Sequence, residues 1–210
     1  MKGHSLAWLQ VLPALVLGAF LVPGGLVPGA QAQGLADAAV AIEGLLADGR
    51  GPEAVAAARG LLRHVTAEAG FGVTNAQLTV GEAQGFGMFE PRPGNHYTPG
   101  EPIFAYVEVY GFSIMPLANG ANRLVFDVSF TLDDPEGHQM TDAMIPMGAV
   151  QLDSFSQPLD GFIHLTYQVT GAEGPFTLRT QVVDRASGQV AEFALPVVFG
   201  VEEAEAEGGK

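Results

Sequence analysis

Residues 123–132, Arg-Leu-Val-Phe-Asp-Val-Ser-Phe-Thr-Leu, place large apolar side chains at every second position. This period of two is typical of a β-strand with one face in a hydrophobic core. We therefore expect Arg123, Asp127 and Thr131 to be more exposed than the alternate set. The side chains expected to be buried are Leu124, Phe126, Val128, Phe130 and Leu132.

The period of two recurs on both sides of this stretch. Alternation is equally regular from Ile163 to Val169, and turn signals such as Pro93-Gly94 and Asn119-Gly120 separate the runs. Short strands without intervening helices pair antiparallel. We expect an antiparallel β-sandwich of seven to nine strands over residues 71–200, with a closed barrel as the alternative. The other expected strands are 77–82, 85–90, 102–112, 138–143, 146–152, 176–184 and 189–199.

Residues 33–70 have the three-and-four spacing of helices instead. An apolar stripe runs from Leu35 to Leu46, Gly49-Arg50-Gly51 interrupts it, and Pro52 suits the first turn of a second helix. We expect a helical hairpin that docks its apolar faces on the sandwich, because so short a segment cannot close a core of its own. The stripe of the second helix consists of Val55, Ala58, Leu62, Val65 and Ala69.

The two ends of the chain differ from the rest. An apolar run from Leu6 to Val22 follows Lys2 and precedes Ala30-Gln31-Ala32, which is the pattern of a secretory signal peptide at residues 1–32. A retained membrane anchor is the alternative. Because the run is shorter than the ~20 apolar residues of a membrane span, cleavage is preferred and no span is expected after it. The sequence thus predicts a periplasmic or secreted protein. Residues 201–210 are expected to be an acidic, disordered tail.

Composition excludes several classes of function. The chain has 9 Lys and Arg against 23 Asp and Glu, for a net charge of −14, which argues against nucleic acid and bare anionic membranes as partners. It has no cysteine, which excludes disulfides, Cys-ligated metals and thiol catalysis. Removal of the leader leaves Lys210 as the only lysine, so a Schiff base or a P-loop is excluded. No cofactor is expected.

Two segments resemble known modules. Residues 97–112, with Pro99-Gly100-Glu101 ahead of a strand carrying Tyr106-Val-Glu108, resemble a strand opening in uncharacterised exported bacterial proteins. Residues 174–190 are similar to the last hairpin of immunoglobulin-like and fibronectin-like modules, in which an Asp and Ser-Gly form the turn. The resemblance implies an exported protein with an immunoglobulin-like sandwich, although the Cys…Trp…Cys core of antibody domains is absent.

The densest acidic cluster ahead of the tail is Asp133-Asp134-Pro135-Glu136-Gly137-His138. Oxygen and imidazole ligands at Asp133, Asp134, Glu136 and His138 would suit a weak metal site of the calcium type. Asp beside Pro-x-Gly also forms a hairpin turn. Because the spacing of an EF-hand is missing, the turn is the preferred interpretation.

Glu108 shares a predicted strand face with three aromatic side chains. A carboxylate in such a place has either a raised pKa and a functional role or an arginine partner across the sheet. We prefer a pair with Arg123 or Arg179. The aromatic side chains on this face are Phe104, Tyr106 and Tyr110.

Apolar loop residues are candidates for a partner-binding surface. Residues 111–117 and 140–147 combine methionine, isoleucine and proline, and flexible methionine side chains suit adaptable binding surfaces. A structural role, either packing over the end of the sandwich or receiving the helical hairpin, is the preferred alternative. The partner-binding candidates are Phe112, Ile114, Met115, Met144 and Met147.

Two functions of different classes remain open. The first is an exported, non-enzymatic binding or assembly module of the bacterial cell envelope, with an envelope protein as its partner. The second is a metal-dependent hydrolase or carbohydrate-active module that uses loop carboxylates together with His96 or His138. The first is preferred because the sequence contains no Gly-x-Ser-x-Gly and no His-Glu-x-x-His motif.

The predicted leader is directly testable. Protein recovered from secreting cells should begin at Gln33 by intact-mass spectrometry. It should also show no tryptophan emission, because Trp8 is the only tryptophan of the chain. A secreted form that retains Trp8 would contradict cleavage after Ala32.

Overall fold

The structure, a computed structural model, describes residues 28–200. Two helices open this part of the chain, α1 (Pro28–Ala47) and α2 (Gly51–Ala69). Residues 1–27 of the predicted leader and the predicted tail 201–210 lie outside the described residues. Within the described part, no helix has the length and apolar character needed to cross a membrane.

Nine strands follow the helices in the described part of the chain. Two of them, β2 and β4, have only two residues each. The protein is therefore mainly β with two N-terminal helices, as the sequence predicts. The strands are β1 (Gly72–Thr79), β2 (His96–Tyr97), β3 (Ile103–Tyr110), β4 (Met115–Pro116), β5 (Asn122–Asp133), β6 (Ile145–Ser154), β7 (Asp160–Tyr167), β8 (Gly174–Asp184) and β9 (Val190–Phe199).

The strands form two sheets whose buried side chains share one hydrophobic core. The smaller sheet has the order β1-β3-β7 and antiparallel pairs. The larger sheet has the order β2-β9-β8-β5-β4, with β6 also paired to β5. β2 runs parallel to β9, so the expectation of wholly antiparallel pairing is wrong at this pair. The β part is curled in the manner of half a barrel.

β5 confirms most of the alternation predicted for it. The side chains of Leu124, Phe126, Val128 and Phe130 are buried in the core. The expectation fails at the end of the strand, where Thr131 is fully buried and the next residue, a leucine, is only half-buried.

Residues 138–143 cause this departure. They form no strand, contrary to expectation, and only Gln139 makes a bridge to β5. The Met140 N–H donates to the carbonyl of Leu132 at 2.8 Å, and the hydroxyls of Thr131 and Thr141 lie 2.7 Å apart. The segment therefore covers the side of β5 that was expected to face solvent. Residues 85–90 are likewise a turn rather than a strand, with one bridge between Gly85 and Met88.

The two helices pack mainly on each other. α1 and α2 are in contact, yet Ala54 is the only buried residue among the described side chains of the hairpin. The expectation that both apolar faces dock on the β part is therefore wrong. Most of the hairpin projects from the sheets, and only the C-terminal end of α2 reaches them.

A close approach at Gly111 joins α2 to the smaller sheet. Gly111 has a φ of +68°, and a Cβ atom there would lie 2.0 Å from the carbonyl oxygen of Gly70 and 2.9 Å from that of Thr66. Beside it, the Phe71 N–H donates to Oε1 of Gln189 at 2.8 Å. The end of α2 therefore lies directly on the backbone that leaves β3.

We expect Gly111→Ala to destabilise the protein by more than the cost of a positive φ alone. The matched control is Gly120→Ala, because Gly120 has a φ of +84° but no atom within 4 Å of its Cβ position. The control should cost about 1–2 kcal/mol, and Gly111→Ala about 3 kcal/mol or more, as measured by urea unfolding. Equal losses would contradict the close packing of α2 on the sheet.

Candidate functional site

A groove lies where the end of α2 meets the outer face of the smaller sheet. Its volume is about 380 Å³. Leu62, Val65 and Ala69 of α2 form one wall, and Phe86 of the β1–β2 loop (residues 80–95) stands at its border. Thr66, Thr74, Glu108, Val109, Tyr110, Leu159 and Asp160 complete its lining.

β3 supplies the floor because its side chains alternate between two faces. Val107 and Val109 enter the core, so Glu108 and Tyr110 emerge on the opposite face. Antiparallel pairing with β7 sets Tyr110 beside Asp160. The floor of the groove is thus acidic, whereas the wall formed by α2 is apolar.

Tyr106 holds Glu108 in place. The Tyr106 side chain is fully buried, its ring stacks on Phe89 at a centroid distance of 4.2 Å, and its hydroxyl accepts a hydrogen bond from the Gly87 N–H at 2.8 Å. Burial raises the pKa of Tyr106 above its usual value, against the bond from the Gly87 N–H, and the bond to Glu108 adds to the increase. The hydroxyl therefore stays protonated and donates to Oε1 of Glu108 at 2.8 Å.

The prediction that Glu108 pairs with Arg123 or Arg179 is wrong. Arg123 binds Asp153 with two hydrogen bonds of 2.8 Å, and Arg179 binds Asp133 at 2.7 Å. Glu108 instead accepts hydrogen bonds from Tyr106 and from the Asn75 amide, the latter at 3.3 Å. Its predicted position among the aromatic side chains of β3 is confirmed.

Neither carboxylate of the floor has a cationic partner in the described part of the chain. The six ion pairs found among residues 28–200 involve neither Glu108 nor Asp160. Both hydrogen bonds of Glu108 end on Oε1, so neither of them uses Oε2. The groove therefore presents acceptor oxygens beside an apolar wall.

The acidic cluster at 133–138 forms a turn. Asp133 is buried and bonded to Arg179 through both carboxylate oxygens. Asp134 accepts the His138 N–H at 2.7 Å, and this bond holds the pKa of Asp134 below its usual range. Glu136 and His138 are exposed. Among the described residues, no group of three His, Cys, Asp or Glu is arranged to hold a metal ion.

The five apolar loop candidates are all half-buried. Phe112 packs edge-to-face on Phe126 at 5.8 Å, and Phe112 and Met147 lie against the core. Ile114 borders a second groove, which Arg63 also lines. Met115 lies in β4, and Met144 lies just before β6. The structure therefore assigns Phe112 and Met147 to packing, as the alternative interpretation held.

The most exposed large apolar side chains lie elsewhere. Residues 111–117 and 140–147 contribute only two of them, and the helical hairpin contributes five. Phe86 has a recognisable signal, since it lies between two glycines that favour an exposed turn. Among the described side chains, the set is Val40, Leu46, Val55, Leu62, Val65, Val80, Phe86, Met88, Met140, Ile145, Leu152, Phe155 and Val190.

Comparisons with known proteins give only distant likenesses. No protein-family model matches the sequence, and no curated protein matches it. Among solved structures, the sporulation control protein Spo0M from Bacillus subtilis is 14% identical with a TM-score of 0.35, and the match covers 63% of this chain and 50% of that chain.

Two further solved structures show the same level of likeness. The alkylpurine DNA glycosylase AlkC from Pseudomonas fluorescens is 12% identical with a TM-score of 0.36, covering 72% of this chain and 39% of that chain. A putative beta-galactosidase from Bacteroides fragilis is 12% identical with a TM-score of 0.34, covering 61% and 17%. The chain matches half or less of the length of these proteins, and such distant likenesses carry no argument about function.

The His164 imidazole binds the β1–β2 loop, and its protonation makes the stability of the folded protein depend on pH. Its Nδ1 accepts the Ala83 N–H at 3.4 Å, and burial lowers the pKa of His164 below its usual value, with Glu82 acting in the opposite direction. The folded state thus favours the neutral ring, and the unfolded chain takes up the proton first as the pH falls. Stability should therefore decrease below about pH 6.5.

We expect His164→Gln to remove this part of the pH dependence. The measurement is the free energy of unfolding in urea between pH 7.5 and pH 5. His64→Gln is the matched control, because His64 is exposed on α2. If both variants follow the wild-type pH profile, His164 does not control the loop.

Proposed function

We propose that the protein is an exported, non-enzymatic binding or assembly module of the bacterial cell envelope, periplasmic or secreted, and that the groove is its binding site. The leader pattern of residues 1–32 supports export. We further propose that the two sheets form an immunoglobulin-like sandwich. A core shared by both sheets supports this fold, as does the β8–β9 turn, in which Asp184 accepts the Ser187 hydroxyl at 2.6 Å.

The observation that carries the binding proposal is the pairing of an apolar wall with two carboxylates that have no cationic partner among the described residues. Leu62, Val65 and Phe86 remain exposed around the groove, and large apolar side chains clustered at one place are typical of interaction sites. Glu108 and Asp160 lie between them without a cation among the described residues. A ligand that covers the apolar wall would also bring the carboxylates out of water.

A carboxylate removed from water needs a positive partner. The ligand that fits is therefore a protein segment that carries an apolar side chain next to an arginine or a lysine. The net charge of −14 favours approach of such a basic segment over an acidic one. No observation in the described part of the chain favours the metal-dependent hydrolase, since Asp133 and Asp134 already bind Arg179 and His138.

Photocrosslinking tests the groove. Benzoylphenylalanine replaces Phe86 in the full chain, expressed in the cells that produce it. The matched control carries the same group at Phe155, which is 82% exposed, belongs to the β6–β7 loop and does not line the groove. Ultraviolet light should give an adduct at position 86 whose linked peptide contains an arginine or a lysine. Position 155 should give none.

The carboxylates provide the second half of this test. The double substitution Glu108→Gln and Asp160→Asn keeps the shape of the floor and removes both charges. It should reduce the adduct at position 86 about tenfold, since charge pairs in a desolvated site contribute more than 1 kcal/mol. An adduct that is unchanged by this substitution, or equally strong at position 155, would overturn the proposed site.

A further inference from the structure

The apolar stripe of α2 continues beyond the groove. Its lower half, Leu62 to Ala69, lines the groove. Its upper half contains Val55, which is 60% exposed, and Ala58, which is also exposed. From Val55 to Ala69 the stripe is about 21 Å long, at 1.5 Å per residue. Among the described residues, only those lining the groove form a wall opposite the stripe, and they face its lower half.

Charged side chains flank this stripe along its length, and Arg63, beside its lower half, borders the second groove. Arg59 follows the upper half and is exposed, and it makes no ion pair among residues 28–200. Glu108 and Asp160 lie beside the lower half, on the floor of the groove. One end of the stripe is thus apolar and basic, whereas the other end is a groove with an acidic floor.

We infer that the occupant of the groove is a second copy of this chain. A twofold axis near Leu62 would set two α2 stripes antiparallel, with Val55 of each copy opposite Ala69 of the other. Arg59 of one copy then lies opposite Val65 of the other copy, close to Glu108 and Asp160 of that other copy. The upper half of each stripe fills the groove of the other copy. Both copies therefore use the same surface, and the assembly closes as a dimer.

The projecting hairpin supports this arrangement. Helices in proteins owe most of their stability to the packing of an amphipathic face, yet Val40 and Leu46 of α1 are 66% and 59% exposed. A second hairpin packed against the first gives four helices around a common apolar layer, which is a stable arrangement. The net charge of −14 on each copy opposes association, and the Arg59 contacts offset this repulsion locally.

This inference rests on the proposed function of the groove and names its partner. Sedimentation velocity of the mature protein, over micromolar concentrations, should show a dimer. Val55→Asp should weaken the dimer at least tenfold, because it places a charge in the apolar contact. The matched control is Ala56→Asp, which introduces the same residue at the neighbouring, exposed position on another side of α2 and should leave the dimer intact.

Charge exchange tests the orientation of the two copies. Arg59→Asp and Asp160→Arg should each weaken the dimer severalfold, and the double variant should recover most of the loss, because the two charges are then exchanged across the interface. Circular dichroism of each variant checks that the helices and strands remain folded.

The outcomes separate the two proposals. A wild-type protein that sediments as a monomer, or equal effects of Val55→Asp and Ala56→Asp, would overturn the dimer. If the adduct at position 86 then contains a different protein, the proposed function stands and only the identity of the partner fails. If the protein is a monomer and position 86 gives no adduct, both proposals fail.

Discussion

The close approach of two backbone segments at Gly111 determines how the rest of the molecule is arranged. A Cβ atom at this position would lie 2.0 Å from the carbonyl oxygen of Gly70, so no other residue fits without moving α2. Because α2 ends here, its last two turns lie beside the outer face of the smaller sheet. The groove exists only as long as this contact holds.

The groove depends on a second constraint inside the sheet. Tyr106 is fully buried and fixes both the Gly87 N–H and the Glu108 carboxylate. One hydroxyl therefore positions the loop that carries Phe86 and the acid on the floor. The apolar border and the acidic floor are set by the same buried tyrosine, which keeps them together as one surface.

Local patterns in the sequence account for much of the fold. The period of two predicted β5 as far as Phe130, and the three-and-four spacing predicted both helices, because these patterns depend on neighbours along the same element. The burial of Thr131 was missed, since it depends on residues 138–143 folding back over β5. The position of the hairpin was missed for the same reason, as the contact between Gly70 and Gly111 joins distant parts of the chain.

The candidate site was predicted only in part. Alternation placed Glu108 beside Tyr106 among aromatic side chains of the same strand. Its second partner, Asn75, follows from the register of β1 on β3, which the sequence does not contain. Formal charge favoured an arginine partner, yet both arginines considered already bind aspartates. Phe86 was overlooked because residues 85–90 were expected to form a strand, whereas they form a turn on which Phe86 is exposed.

The claim that α2 is held rigidly against the smaller sheet is the most direct one to measure. The chain has no cysteine, so spin labels can be attached at cysteines introduced in place of Ala56 on α2 and Thr170 after β7, both exposed. Pulsed electron paramagnetic resonance measures the distance between the two labels, and added unlabelled protein suppresses distances between labels on different copies. It should give one narrow distance distribution. A broad distribution, like that of two bodies on a flexible linker, would contradict the account.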